Sequence, residues 1–196
     1  VRVTLLVPPT PPTETISRKW LDVAYAQTSA AQKLDIYMPE EGDVPFPMIV
    51  AIHGGAFRMG DKADGQLTPM LEGLKRGYAV VSINYRMSGE AIFPAAVFDV
   101  KAAIRWIRAN AELYHFNADK IAMWGGSAGG HLCAMAGVSG GVAELDDLTL
   151  GAAEFSSRVQ AAVDWFGPTN FLMMDEAFNA SGKGKPDHNE ADSPES

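Results

Sequence analysis

The sequence predicts an α/β fold: a mostly parallel sheet with helices on both faces. Short, nearly continuous apolar runs recur along the chain, and stretches of helical period separate them. Their order is strand, helix, strand, helix, strand, helix, strand, which right-handed crossovers join into parallel sheet.

The elements follow in chain order. Pro8, Pro9, Pro11 and Pro12 remove backbone donors from the opening stretch and favour an extended arm. Over residues 20–27 and 33–38 apolar and polar side chains alternate, the period of strands with one buried face. These predict an antiparallel edge pair. Residues 48–52, 79–83 and 121–124 read as strands covered on both faces, and 161–166 is a fourth, stopped by Gly167 and Pro168. Helices are expected over 61–75, 94–114 and 127–137. The second has Pro94 at a first helical position and Val97, Val100, Ile104, Ile107 and Ala111 at three- and four-residue spacing. Beyond Phe171 the chain turns polar and rich in Gly and Pro. The expected organisation is an extended arm over 1–19, an α/β core over 20–171 and a lid-like or disordered tail over 172–196.

Composition removes several classes of function. With 16 basic against 24 acidic residues the net charge is −8, and the basic residues are scattered, so nucleic acid is not an expected partner. No apolar run approaches the roughly 20 residues of a membrane span. Cys133 is alone and cannot form an internal disulfide, and four histidines without ligand spacing predict neither a metal site nor a cofactor. The chain begins at Val1, and its compartment, cytoplasmic or secreted, is not readable from it.

Two motifs carry chemistry. Gly125-Gly126-Ser127-Ala128-Gly129 fits G-x-S-x-G, follows the 121–124 strand and opens into a helix. Small neighbours allow a turn sharp enough to lift the Ser127 hydroxyl above the sheet, at the positive end of that helix. His53-Gly54-Gly55-Ala56-Phe57 follows the 48–52 strand. Acyl transfer builds negative charge on a carbonyl oxygen, and preorganised backbone N–H groups stabilise it. Gly54 and Gly55 are expected to donate from one side and Ala128 from the other. His53 is expected to orient this loop rather than transfer protons, because a base there would lie on the wrong side of the serine.

These residues resemble the carboxylesterase branch of the α/β-hydrolases, and are similar to hormone-sensitive-lipase-like enzymes and bacterial acetyl-xylan and feruloyl esterases. The resemblance rests on Leu34-Asp-Ile-Tyr-Met-Pro39, His53-Gly-Gly-Ala-Phe57, Asn84-Tyr-Arg86, Phe93-Pro-Ala95 with Asp99, Gly125-Gly-Ser-Ala-Gly-Gly-His131 and Phe166-Gly-Pro-Thr169. It implies an α/β-hydrolase fold whose C-terminal strands are missing from this chain, and a Ser, Asp/Glu, His triad in that order. No histidine stands where the triad needs one: His115 precedes the nucleophile strand, His131 lies within the nucleophile helix and His188 is in the tail.

Three explanations stay open. The acid and base are carried by a further C-terminal segment or a second chain that completes the sheet; or His188 folds back with Asp187 or Asp192; or catalysis has been lost. Arg86 and Asp99 are expected as a buried pair bracing the loop beside the site. His131 is expected as a packed, hydrogen-bonded core residue and Cys133 as a core filler. Phe171, Met173, Met174 and Phe178 fit either an apolar lid or a helix packed on the sheet edge. Asn170 stands where related enzymes often carry aspartate. The expected function is a serine hydrolase cleaving small carboxylic esters through an acyl-enzyme, with acetylated or feruloylated polysaccharide implied by the resemblance alone. The rivals are an amide or peptide acyl hydrolase on the same scaffold and a non-catalytic binding module.

Overall fold

The computed structural model describes residues 10–182, 187, 188, 190 and 193. Six strands form one mixed sheet: β1 (Lys19–Ala24), β2 (Lys33–Tyr37), β3 (Phe46–Ile52), β4 (Ala79–Ile83), β5 (Phe116–Gly126) and β6 (Ala161–Trp165). Their order is β1-β2-β4-β3-β5-β6. β1 to β2 and β2 to β4 are antiparallel, whereas β4, β3, β5 and β6 run parallel. The α/β expectation therefore holds. The expected antiparallel edge pair is present, with β1 outermost and β2 joining it to β4.

The apolar runs are buried for the reason their composition gives. β4 is covered on both faces by the helical layers, and so is most of β3. β6 departs from that pattern. All five of its residues are exposed, because it is the last strand of the sheet and only one of its edges is paired.

Helix α2 (Ala95–Ala109) is shorter than the expected 94–114. Pro94 is its N-cap rather than its first helical residue, and the chain leaves the helix at Asn110, whose side chain donates to the Trp106 carbonyl at 2.8 Å. The expected helix over 61–75 is three fragments: a 3₁₀ turn at Gly65–Leu67, the four-residue α1 (Thr68–Leu71) and a second 3₁₀ turn at Leu74–Arg76. Gly65, Pro69 and Gly73 interrupt it every few residues, and Gly77 ends it in the left-handed conformation at φ 76°. Helix α3 (Ala128–Val138) follows β5 without a linker beyond Ser127, and α4 (Met174–Ser181) lies within the segment expected as lid or tail. Most of the proline-rich arm, and the tail positions 183–186, 189, 191–192 and 194–196, lie outside the described residues.

Register decides where chemistry can happen. Ile52 pairs with Ile83 and with Gly125, and Gly126 pairs with Trp165, so four parallel strands end at one level. The loops that leave them begin at His53, Asn84, Ser127 and Phe166. In open α/β sheets ligands bind outside these carboxyl ends.

Candidate active site

The turn at Ser127 is the tightest feature of the site. Ser127 has φ 54° and ψ −123°, a conformation that costs a non-glycine residue about 1–3 kcal/mol and persists only where the surroundings hold it. They do so through two backbone bonds: Ser127 N–H donates to the Trp165 carbonyl at 2.8 Å, and the Ser127 carbonyl accepts from His131 N–H at 3.0 Å. The neighbouring glycines are steric necessities. A Cβ on Gly129 would collide with the Ile52 carbonyl, and one on Gly125 with the Gly129 backbone, so only hydrogen at both positions lets α3 start this close to β3 and β5. The Ser127 side chain is half-buried, and no hydrogen bond to its hydroxyl is present among the described residues.

The second motif packs against this turn: a Cβ added to Gly54 would lie 3.2 Å from the Ser127 Cβ. Gly54 was expected to contribute an oxyanion donor, and the structure corrects this. Its N–H donates to Gln66 Oε1 at 2.9 Å. The following amides, of Gly55 and Ala56, make no hydrogen bond among the described residues, and neither does Ala128 at the first turn of α3. Gly55 (φ 122°), Ala56 (φ 51°) and Phe57 (φ 57°) are three successive left-handed residues, closed by Arg58 and Met59 amides donating to the Gly55 carbonyl at 3.0 and 3.1 Å.

A polar relay holds this loop, and sequence reasoning missed it. Asp64 Oδ1 caps the 3₁₀ turn through Gln66 N–H at 2.9 Å, and Asp64 Oδ2 accepts from Gln66 Nε2 at 3.0 Å. That leaves Gln66 Oε1 as the acceptor for Gly54. The Asp64-Gly-Gln66 capping pattern was visible in sequence, but the partner twelve residues upstream was not. His53 is buried, bonds the Gly54 carbonyl through Nδ1 at 2.8 Å and stacks on Tyr85 at 4.6 Å. Burial pushes its pKa down, keeping it neutral. Arg86 and Asp99 form a bidentate pair, Nη2 to Oδ1 at 2.8 Å and Nε to Oδ2 at 2.9 Å. Asp99 also accepts from Gln32 Nε2 at 2.8 Å and from Arg86 N–H at 2.8 Å.

No described histidine reaches Ser127. His115 is exposed at the start of β5, the far end of the sheet. His131 Nδ1 is held by the Pro168 carbonyl at 2.8 Å. His188 finds an acid partner in Asp175 at 2.8 Å rather than in Asp187, with its ring edge-on to Phe178, and Asp192 lies outside the described residues. Cys133 is fully buried and its thiol pKa is pushed up by burial, which leaves it inert.

Beside the elbow lies a cavity of about 670 Å³, walled by Phe57, Phe93, Val97, His131, Leu132 and Phe171. Leu172 also lines it, whereas Met173, Met174 and Phe178 do not. Among the described residues no cluster of three or more His, Cys, Asp or Glu could hold a metal ion, and no helix is long and apolar enough to cross a membrane.

Proteins similar to this chain include named esterases. The probable carboxylic ester hydrolase LipM of Mycobacterium tuberculosis is 35% identical over 161 residues, covering 81% of this chain and 36% of its own. Esterase LipQ of the same organism is 36% identical over 121 residues, covering 62% and 28%. The chain thus spans about a third of the curated relatives it matches. Among solved structures, a truncated form of a carbohydrate esterase from gut microbiota superposes with a TM-score of 0.76 at 36% identity, covering 94% of this chain and 66% of that one. Thermogutta terrifontis esterase 2, phosphonylated by sarin, superposes with a TM-score of 0.67 at 27% identity, covering 81% and 57%. These neighbours share the α/β-hydrolase fold. Residues 34–195 match the BD-FAE family model, and the chain belongs to that family.

Proposed function

We propose that the protein is a serine hydrolase of small carboxylic esters, with Ser127 as nucleophile and the amides of Gly55, Ala56 and Ala128 as the oxyanion cradle. The observation that carries this reading is the strained turn at Ser127, whose hydroxyl has no hydrogen bond among the described residues, beside three amides that make none there either. Oγ attacks the ester carbonyl, the alcohol leaves, and water releases the acid from the acyl-enzyme. Gln66 and the Arg86–Asp99 pair position the loops and transfer no protons.

A serine hydroxyl needs a base to accept its proton, and in a Ser, Asp/Glu, His triad that base is an imidazole. We infer that this base and its acid come from polypeptide outside the described residues, seated against the open side of β6. That strand is the natural dock, because its loop begins at Phe166, and the Trp165 carbonyl already holds the Ser127 amide. The substrate class, esters rather than amides, follows the relatives' named activities and stays within the proposal.

The test is a fluorophosphonate probe applied to the full-length protein. The serine oxygen bonds to phosphorus and fluoride leaves, the counterpart of the adduct on Thermogutta esterase 2. Labelling at Ser127 should be stoichiometric and vanish in Ser127→Ala, with ester turnover falling roughly 10⁶-fold, the loss typical of deleting a serine nucleophile. A folded protein that takes no label is a binding module instead. A short p-nitrophenyl ester turned over no faster than the matching anilide would point to amide chemistry.

A further inference from the structure

His131 is spent on neither catalysis nor complete burial. Its side chain is only 8% exposed, and its ring forms part of the wall of the 670 Å³ cavity, edge-on to Phe57 at 5.7 Å and Phe171 at 4.8 Å. Nδ1 lies 2.8 Å from the Pro168 carbonyl. A carbonyl oxygen only accepts, so Nδ1 carries the proton, and in the neutral ring Nε2 is a bare lone pair. Burial lowers the pKa and favours that neutral form. Nε2 makes no hydrogen bond among the described residues. It is not sealed away as the Nε2 of His53 is, so a group occupying the cavity can approach it. His53 is no rival for the same task, since its own unpartnered Nε2 is sealed in the core beneath the glycine loop.

The position relative to Ser127 completes the argument. His131 is four residues beyond Ser127, within the first turn of α3, and its amide bonds the Ser127 carbonyl. The turn that carries the nucleophile and the cavity wall that carries this ring thus belong to the same end of one helix. The cavity is the size of a small-molecule pocket and mostly apolar, the setting in which one acceptor sets orientation.

We propose that His131 is a specificity-determining residue whose Nε2 accepts a hydrogen bond from a hydroxyl on the substrate portion occupying this cavity. The inference rests on the esterase reading for the identity of the substrate, while the binding it describes does not require turnover. Phenol and toluene test it, being of equal shape and different in one donor. In protein labelled with ¹⁵N-histidine, long-range ¹H–¹⁵N spectra at pH 7.5 should show His131 protonated at Nδ1 alone. Phenol should shift the Nε2 resonance, and toluene should not. Phenol should also bind about 5-fold tighter than toluene, the span of one net hydrogen bond, and His131→Leu should erase that preference. A proton on Nε2, equal responses to both probes, or no response to phenol would overturn the proposal. The wild-type titration decides even if the variant fails to fold. An inert Ser127 with a responsive Nε2 would remove the hydrolase and keep the site; a labelled Ser127 with a silent Nε2 would remove this inference alone.

Discussion

At Gly55 and Ala56 two adjacent left-handed residues have opposite tolerances. At Gly55, φ is 122° and an added Cβ would strike the Met59 carbonyl, so Gly55→Ala must displace the loop that carries two of the three proposed oxyanion donors. Turnover of a p-nitrophenyl ester by the full-length protein should fall about 100-fold, with KM changed far less, as when one such donor is lost. Ala56 is exposed at φ 51°. Ala56→Gly relieves about 1 kcal/mol of strain and gives back a similar amount in chain entropy, so turnover and melting temperature should stay close to wild type. If Gly55→Ala turned over normally, the cradle would have to be elsewhere. The glycine pattern made this loop legible in sequence, and Ser127 likewise. The identity of the donors was not: the Gly54 amide is taken by Gln66, a side chain no local pattern connects to the loop.

Elements were legible where their burial is set by neighbours on both faces, as in β3 and β4, and less so where polar side chains anchor them. Helix α2 shows the difference. Its apolar stripe predicted a helix, yet Lys101 and Arg105 on it are fully buried too, Lys101 Nζ donating to the Ser139 carbonyl at 2.8 Å and Arg105 pairing with Asp146. Periodicity scores such residues as surface. The 61–67 segment is anchored in the same way. Lys62 Nζ lies 2.9 Å from Asp22 Oδ1 and 3.0 Å from Asp35 Oδ1, its amide donates to Asn84 Oδ1 at 2.6 Å, and its carbonyl accepts from Ser82 Oγ at 2.7 Å. Burial alone would lower the Lys62 pKa, but the two carboxylates hold it above its ordinary value. Asp22 is largely exposed, so the Asp35 contact, buried on both sides, carries most of the energy. Lys62→Met leaves the Asp35 carboxylate without its cation and should cost roughly 3 kcal/mol in urea denaturation. Adding Asp35→Asn should recover much of that loss. A single variant as stable as wild type would mean that the cluster is solvated.

The two edges of the sheet are finished differently, and that contrast governs the behaviour of the molecule as a whole. β1 carries a register shift between Trp20 and Val23, with Asp22 at φ 56°, and begins at Lys19; a bulge and a charge are how edge strands avoid pairing with other chains. β6 has neither. Its pairing with β5 is regular over five residues, Val163 and Trp165 are 40% and 42% exposed, and Phe166 beyond its end is 80% exposed. Its one charge, Asp164, is turned back to accept from Gly167 N–H at 2.7 Å. The sequence already marked 161–166 as apolar enough to be covered, while the expectation of further strands came from the family resemblance; the exposed strand now gives that expectation a physical reason. An unguarded apolar edge pairs with whatever strand is available. The 196-residue chain by itself should therefore associate with rising concentration in sedimentation velocity. Val163→Lys, which places a charge on the open strand without touching the elbow, should shift it toward monomer. Polypeptide that supplies the base should suppress the association equally well, because it would occupy the same edge. A wild-type chain that stays monomeric at every concentration would show that β6 needs no cover, and would remove the physical reason for seating the missing imidazole there.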